Sequence, residues 1–518
     1  MMNTLILDYL KKACLKTPDA CAVIFKGKCY SYTDLDQWSD RIAWVLEDQG
    51  VIPGDRISLY LDKSFQAIAC IYGVLKTGAC YVPMSPADPA TRTLYMLSNC
   101  NARFMLVSAT LKSDLAMALK TANVASIDVN EWLQDGEISS LTYEARSVSS
   151  DAAAAVLHTS GSTGDPKGAV ITHGNLGVFL NWTVNAFDLN RTDRLLSHAP
   201  LQFDLSFFDL FSAAAASATV VLAESNDTAN AVKLAKLVNE TGVTVWQSVP
   251  SALSLQSISG KDQSMASVRH VLFAGEPMPR QTLLKLPDLF PKAQFHNIYG
   301  CTETNDTFMY TLPDTVQEAP DPLPIGRVLP HIRYRIVDLA DRDVALGEQG
   351  HLLVSGATVM ARYLGNNNEN VLTDGFYRTH DLVSEGENGL LNFHGRIDSV
   401  VKTNGYRVNL AEIEDYLLRS GKFQEVALFC VKDDLIGQRI VAAIRTVAGV
   451  TCSTLDLKVY CAGGLPKYAI PHNFYITEDE LPKGNTGKID RWRISYLWQH
   501  EHLTKKTNQP GELSYELT

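Results

Sequence analysis

The sequence predicts an α/β protein: a large N-terminal α/β domain with a β-rich subdomain, then a small α+β domain at the C-terminus. Three observations lead there. Short β-branched runs alternate with helical periodicity from Leu5 to about residue 395, the pattern of helices layered on parallel sheets. Two more strand-like runs, Tyr334–Asp338 and Gly350–Ser355, follow a proline-rich stretch. Beyond "GRIDSVVKTNGYRVN" (395–409) the pattern restarts as helix, strand, strand and helix.

The runs that read as strands are Arg56–Leu61, Ala102–Val107, Ala153–Leu157, Thr219–Leu222, Val243–Gln247, Val268–Phe273 and Phe295–Tyr299. Most are short and apolar, as strands covered on both faces are. Amphipathic periodicity marks helices over Tyr32–Gln49, Lys63–Thr77 and Ala229–Thr241. Residues 313–325, "PDTVQEAPDPLPI", are proline-rich and acidic and predict a surface connection. In the last unit Leu410–Ser420 reads as a helix, Val426–Lys432 and Arg439–Thr446 as strands, and Asp456–Ala462 as the start of a helix. The tail from His500 has little apolar content and reads as flexible. At 518 residues the chain allows roughly three domains, or one large domain with a smaller one.

Composition is that of a globular protein, 46% hydrophobic and 20% charged. A net charge of −11 repels nucleic acid and anionic membrane, so neither is an expected partner. The ten cysteines show no CxxC pair and no regular spacing, which predicts reduced thiols in a cytoplasmic protein. The opening "MMNTLILDYLKKACLK" is broken by an acid and a lysine pair, unlike a signal peptide. Phe211–Ala223 is too short and too hydroxyl-rich to span a bilayer.

"HTSGSTGDPKGAV" (158–170) follows the apolar run Ala152–Leu157. Glycines, hydroxyls and backbone amides crowded behind a strand are a way to hold phosphate oxygens. The Walker A frame that starts at Gly161 fails, because Pro166 stands where its second glycine belongs and Gly168 where its hydroxyl belongs. Other segments decide the matter: "NIYGCTETN" (297–305), "YRTHDLV" (377–383), "GRIDSVVKTNGYRVNLAEIE" (395–414) and "LPKGNTGKID" (481–490). In this order and spacing, together with "YTDLD" (32–36) and "LKTGACYVPMSP" (75–86), the chain resembles the adenylate-forming enzymes, in particular the amino-acid adenylation domains of nonribosomal peptide synthesis.

The resemblance implies an adenylate-forming enzyme fold, with an N-terminal ATP- and amino-acid-binding domain over 1–397 and a mobile C-terminal domain over 398–518, hinged at Asp398. It implies activation of a carboxylate by ATP, with Mg2+ as the metal. An attacking carboxylate and a phosphate repel each other strongly in a dry site, so cations must be supplied there. By motif position Lys488 is the catalytic lysine, Glu303 the magnesium ligand and Thr302 a contact of the α-phosphate. Thr159, Ser160, Gly161, Ser162, Thr163, Gly164 and Lys167 would cover the β- and γ-phosphates. Asp381 would hold the ribose hydroxyls with help from Arg396; Tyr299 would stack on adenine, Asn297 would meet its edge, and Gly275 and Phe393 complete the nucleotide site. Two residues depart from the family pattern: His380 replaces a glycine and Cys301 a proline.

Asp204, in "HAPLQFDLSFFDLF" (198–211), stands where amino-acid-activating members keep a carboxylate for the substrate's α-ammonium. The rest of the pocket by motif position is Leu205, Phe208, Gln247, Leu272, Ala274, Ile298, Asp306 and Thr307. Gln247 and Asp306 need partners if buried. This composition favours a small or medium substrate with a hydrogen-bonding side chain; proline or alanine is the rival, with the two polar residues turned aside or hydrated. For transfer to a thiol, the resemblance implies that the C-terminal domain turns to bring the loop near Gly405 into the site and takes Lys488 out, with Phe203 as the gate for the pantetheine arm. No serine of a carrier motif follows Lys488 and no condensation domain precedes residue 1, so a separate carrier protein is the expected partner. "TLLKLPDLFPK" (282–292) with Lys432, Arg439, Lys458 and Lys467 are candidate basic contacts for an acidic carrier. An acyl- or aryl-CoA synthetase with the same adenylation chemistry is the alternative.

Overall fold

The computed structural model describes residues 5–108, 113–132, 142–159, 166–224, 228, 230–259, 263–365, 374–397, 400–403, 405–433, 437–447, 450–483, 489–491 and 493–498. Two large sheets form its N-terminal part. In one, the strands Gln294–Cys301, His270–Ala274, Val245–Ser248, Arg194–Ser197, Thr219–Leu222 and Cys21–Phe25 run parallel side by side. In the other, Ala153–Thr159, Cys80–Met84, Arg56–Tyr60, Phe104–Val107 and Ala125–Asp128 do the same. The centres of most of these strands are buried, which is why they read as unbroken apolar runs; Ala125–Asp128 at the edge is an exception. Antiparallel strands finish the edges, among them Lys167–Thr172 beside Ala153–Thr159 and Asn305–Thr311 beside Gln294–Cys301.

Helices Tyr32–Asp48 and Phe65–Lys76 pack as a pair. The first begins with a reciprocal cap in which the Asp34 amide donates to Ser31 Oγ and the Ser31 amide donates to Asp34 Oδ2. The second is apolar all round and buried along its length, as a core helix should be. The largest core cluster joins these helices to both sheets through Phe65, Phe179, Phe207 and Phe211.

The β-rich section is a four-stranded antiparallel sheet, Ile332–Val337, Gly350–Gly356, Tyr377–Glu385 and Leu391–Arg396. After it come the hairpin Val400–Thr403 with Tyr406–Asn409, helix Leu410–Leu418, strands Phe423–Asp433 and Gly437–Thr446, helix Thr454–Ala462 and strand Asn473–Thr477. Their core is separate, built on Ile413, Leu417, Leu428, Ile440 and Ile444. The tail from His500 lies outside the described residues.

Two expectations are corrected. Residues 313–325 are not a plain surface connection: Val316 and Ala319 are buried in a core cluster, because the short turn Val316–Glu318 folds its apolar residues inward. Cys21 and Cys29 form a disulfide across the hairpin Cys21–Phe25 and Lys28–Ser31, with Cα atoms 5.8 Å apart; the turn at Lys26 and Gly27 brings residues eight apart in sequence together.

Candidate active site

Ligands of open parallel sheets gather beyond the carboxyl ends of the strands. There His270–Ala274 leads into Gly275, Gln294–Cys301 into Thr302 and Glu303, and Ala153–Thr159 ends on Thr159. The turn after Tyr299 is tight enough to require glycine: a Cβ on Gly300 would stand 2.0 Å from the Asn305 carbonyl oxygen.

A cavity of about 360 Å3 opens at this edge, lined by Gly275, Asn297, Tyr299, Asp381, Phe393 and Arg396. Asp381 is buried, and its carboxylate accepts from Arg396 Nη1 at 2.7 Å and from the Tyr299 hydroxyl. Burial, with the Asp381 charge beside it, pushes the Tyr299 phenol well above its ordinary range, so it stays a donor. Asn297 Nδ2 donates to the Pro324 carbonyl at 2.8 Å, which ties the 313–325 segment to the cavity rim. His380 lies in the left-handed region at φ 64°, which explains why glycine suits that position. The Cys301 amide donates to Thr304 Oγ1 at 3.3 Å, a bond that proline could not make.

A second cavity, of about 100 Å3, is lined by Thr159, Asp204, Leu205, Gln247, Ala274, Thr302 and Asp306. Gly275, Gly300 and Lys402 line both, so the two cavities meet there. Asp204 makes no capping hydrogen bond to the turn Leu205–Phe207 that follows it. Burial raises its pKa, opposed by the charge of Lys402 and reinforced by that of Glu303. Phe208, Leu272, Ile298 and Thr307 do not line this cavity. Phe208 packs on Phe187 with ring centroids 5.8 Å apart. Leu272 lies one pleat deeper than Ala274 on its strand and is wholly buried. Ile298 lines the larger cavity, and Thr307 Oγ1 donates to the Tyr299 carbonyl at 3.0 Å.

Asp306 is pushed up to about 8 from 3.8, mainly by burial, with the Asp204 charge adding. The folded chain therefore holds a proton that the unfolded chain loses, so this group erodes stability as pH climbs from about 4 to about 8. In Asp306→Asn that slope disappears. The variant's melting temperature relative to the parent is expected to rise between those limits, with a gain of at least about 1 kcal/mol at the upper end. A difference that stays flat with pH in thermal unfolding would refute the assignment.

Glu303 is 1% exposed. Its Oε1 accepts from Thr159 Oγ1 at 3.1 Å, the Tyr363 hydroxyl at 2.7 Å and Arg407 Nη1 at 2.9 Å; Oε2 accepts from the same Arg407 nitrogen at 2.7 Å. Burial alone would raise this carboxyl, but Arg407 and the hydroxyl donors outweigh it and hold it at about 2. Lys167 is buried at the start of its strand, with Nζ 5.8 Å from the Tyr363 ring centroid. Ser160, Gly161, Ser162, Thr163, Gly164, Asp398 and Lys488 lie outside the described residues.

Family models match the chain along most of its length: AMP-binding enzyme over residues 10–364 and AMP-binding enzyme C-terminal domain over 412–488. The chain belongs to the AMP-binding enzymes. It is 33% identical to an L-proline--[L-prolyl-carrier protein] ligase of Streptomyces coelicolor, over 90% of this chain and 91% of that one. A ligase of the same name from Pseudomonas fluorescens is 30% identical over 95% and 99%. Gramicidin S synthase 2 of Aneurinibacillus migulanus is 29% identical over 94% of this chain, which spans 11% of its length. Among solved structures, o-succinylbenzoate CoA synthetase from Bacillus subtilis superposes with a TM-score of 0.84 at 23% identity, over 94% of this chain and 98% of that one. An artificially fused adenylation–PCP di-domain from Klebsiella oxytoca gives 0.80 at 22%, over 97% of each.

In this AMP-binding enzyme, several site residues escaped the motif reading. Lys402 and Arg407 face each other across the hairpin Val400–Thr403 and Tyr406–Asn409, and both enter the cleft. Lys402 Nζ donates to the Gly300 carbonyl at 3.4 Å; burial lowers its pKa while the Asp381 charge opposes. Glu276 accepts from the Gly405 amide at 2.7 Å and the Ser251 amide at 3.1 Å. Arg92 meets Glu412 at 3.0 Å. Phe203 meets the Tyr406 ring edge-on at 4.9 Å. The Asn-Gly pair inside "KTNGYR" is a hairpin signal that would have found Lys402 and Arg407. Of the expected basic contacts, Arg439 is engaged by Asp433. Among the described residues no helix is long and apolar enough to cross a membrane.

Proposed function

We propose that the chain activates an amino acid with ATP to an aminoacyl adenylate, releases pyrophosphate, and passes the aminoacyl group to the phosphopantetheine thiol of a separate carrier protein. The observation that carries this reading is the carboxylate of Asp204, half-buried on the wall of a small cavity that meets the larger one at Gly275 and Gly300. A carboxylate partly withdrawn from water favours a cation beside it, and the α-ammonium of an amino acid supplies one. The resemblance to two L-proline--[L-prolyl-carrier protein] ligases along nearly their whole length supports the same reaction class. ATP–pyrophosphate exchange driven by amino acids and not by their desamino analogues is the expected result; the reverse preference would make the chain an acyl- or aryl-CoA synthetase.

The larger cavity is the nucleotide site in this reading, with Asp381 and Arg396 at the ribose and Tyr299 and Phe393 as its aromatic walls. Residues 1–397 bind ATP and amino acid, and 398–518 turn about Asp398 to exchange Lys488 for the Gly405 loop. The position of that loop, against Glu276 and Glu303, suits the transfer half-reaction.

Among the described residues no three His, Cys, Asp or Glu side chains cluster to hold a metal. Mg2+ suits a site with one carboxylate and phosphate oxygens from the substrate, and Glu303 with the hydroxyls of Thr302 and Thr159 provides such a donor set. When bound, magnesium offsets phosphate charge at the attacked phosphorus. Arg407 occupies both oxygens of Glu303 here, so it must leave before the metal is held. Arg407→Ala is therefore expected to reach half-maximal exchange at a severalfold lower Mg2+ concentration. An unchanged magnesium titration would show that the two cations do not compete.

A further inference from the structure

The substrate cavity holds an unmet demand for hydrogen bonds. Gln247, on strand Val245–Ser248, is 3% exposed, and Asp306, on Asn305–Thr311, is 8% exposed. Gln247 Oε1 and Asp306 Oδ2 are both shielded from solvent and have no hydrogen-bond partner. Both residues line the cavity of about 100 Å3 that contains Asp204. Of the cavity's donors, Thr159 and Arg407 are engaged by Glu303 and Lys402 by the Gly300 carbonyl, while Leu205, Ala274 and Phe179 offer none. Neither polar residue has turned aside, and a buried acceptor left bare is costly. A bound ligand that brings a donor meets this demand.

We propose that the amino acid taken by this cavity is short and carries a side-chain hydroxyl, which donates to Gln247 Oε1 and meets the carboxyl of Asp306. The inference rests on the adenylation reading and on Asp204 as the partner of the α-ammonium. A hydroxyl both donates and accepts. It suits a pair in which the amide oxygen only accepts, while the carboxyl, kept protonated near neutral pH by burial, can give a proton to the hydroxyl oxygen. An aliphatic ring or methyl would leave both groups unbonded. An ammonium would satisfy the acceptors but would place a second cation beside the one that Asp204 holds.

The test is pyrophosphate exchange with matched pairs: serine against alanine, threonine against valine, and 4-hydroxyproline against proline, with 2,4-diaminobutyrate as the cationic arm. One hydroxylated member is expected to exceed its partner by about 10⁴-fold in kcat/KM, the discrimination of a site built to bond a hydroxyl. In Asp306→Val and Gln247→Leu that ratio should fall at least about tenfold. A partly unfolded variant would lower both members alike and leave the ratio unchanged. Preference for proline, alanine or valine overturns the proposal while leaving adenylation standing, and so does preference for 2,4-diaminobutyrate. No exchange with any amino acid overturns the adenylation reading itself.

Discussion

Asp204→Ala is expected to lower amino-acid-dependent pyrophosphate exchange by a factor on the order of 10²–10⁴. The estimate follows from a buried ion pair that loses one member, which costs about 3–5 kcal/mol at about 1.36 kcal/mol for each tenfold in rate. Asp204 stands half-buried on the wall of a cavity of only about 100 Å3, so little water can take its place as a partner for the ammonium. The loss should fall on the amino acid and spare the nucleotide, because Asp381, Arg396 and Tyr299 belong to the neighbouring cavity. Equilibrium binding of ATP to the variant provides the check. A variant that exchanges at the parent rate would remove the reason for preferring an amino acid as the substrate.

The second large effect is expected from Lys488→Ala. Adenylate formation brings two anions together, and a cation at that point is worth far more in a dry site than in water. Exchange should fall by about a hundred- to a thousandfold, the size seen when one charge-stabilising group is removed. Transfer from a preformed aminoacyl adenylate to a carrier thiol should continue at the parent rate, because in the proposed cycle Lys488 has by then left the cleft. Single-turnover measurement of each half-reaction separates the two. Equal loss in both would contradict a domain that turns between them.

Much of this architecture was legible because the parallel strands are covered on both faces and so read as short unbroken apolar runs; Thr219–Leu222 has the same limits in sequence and structure. Helix Tyr32–Asp48 was legible from its period, which gave Tyr32–Gln49. The segment 313–325 was not, because prolines and acids hide two buried apolar residues in a turn too short for periodicity to register. The residues that line the larger cavity were readable as a set through their motifs, which keep Asp381 and Arg396 in adjoining segments. Arg407 and Glu303 lie 104 residues apart and belong to different segments of the chain; nothing local in either segment points to the other. The same holds for Glu276 and Gly405, 129 residues apart. Phe208, Leu272 and Thr307 show the opposite failure, since motif position fixes where a residue stands along the chain but not how deep its side chain lies.

The docked hairpin has a price in tempo. Arg407 on Glu303, the Gly405 amide on Glu276 and Arg92 on Glu412 form a seam that, in the proposed cycle, must part and close again. Each added 1.4 kcal/mol of grip, roughly, would lengthen the residence of the closed form about tenfold. Substitutions that tighten this seam would make a more heat-resistant protein and a slower catalyst.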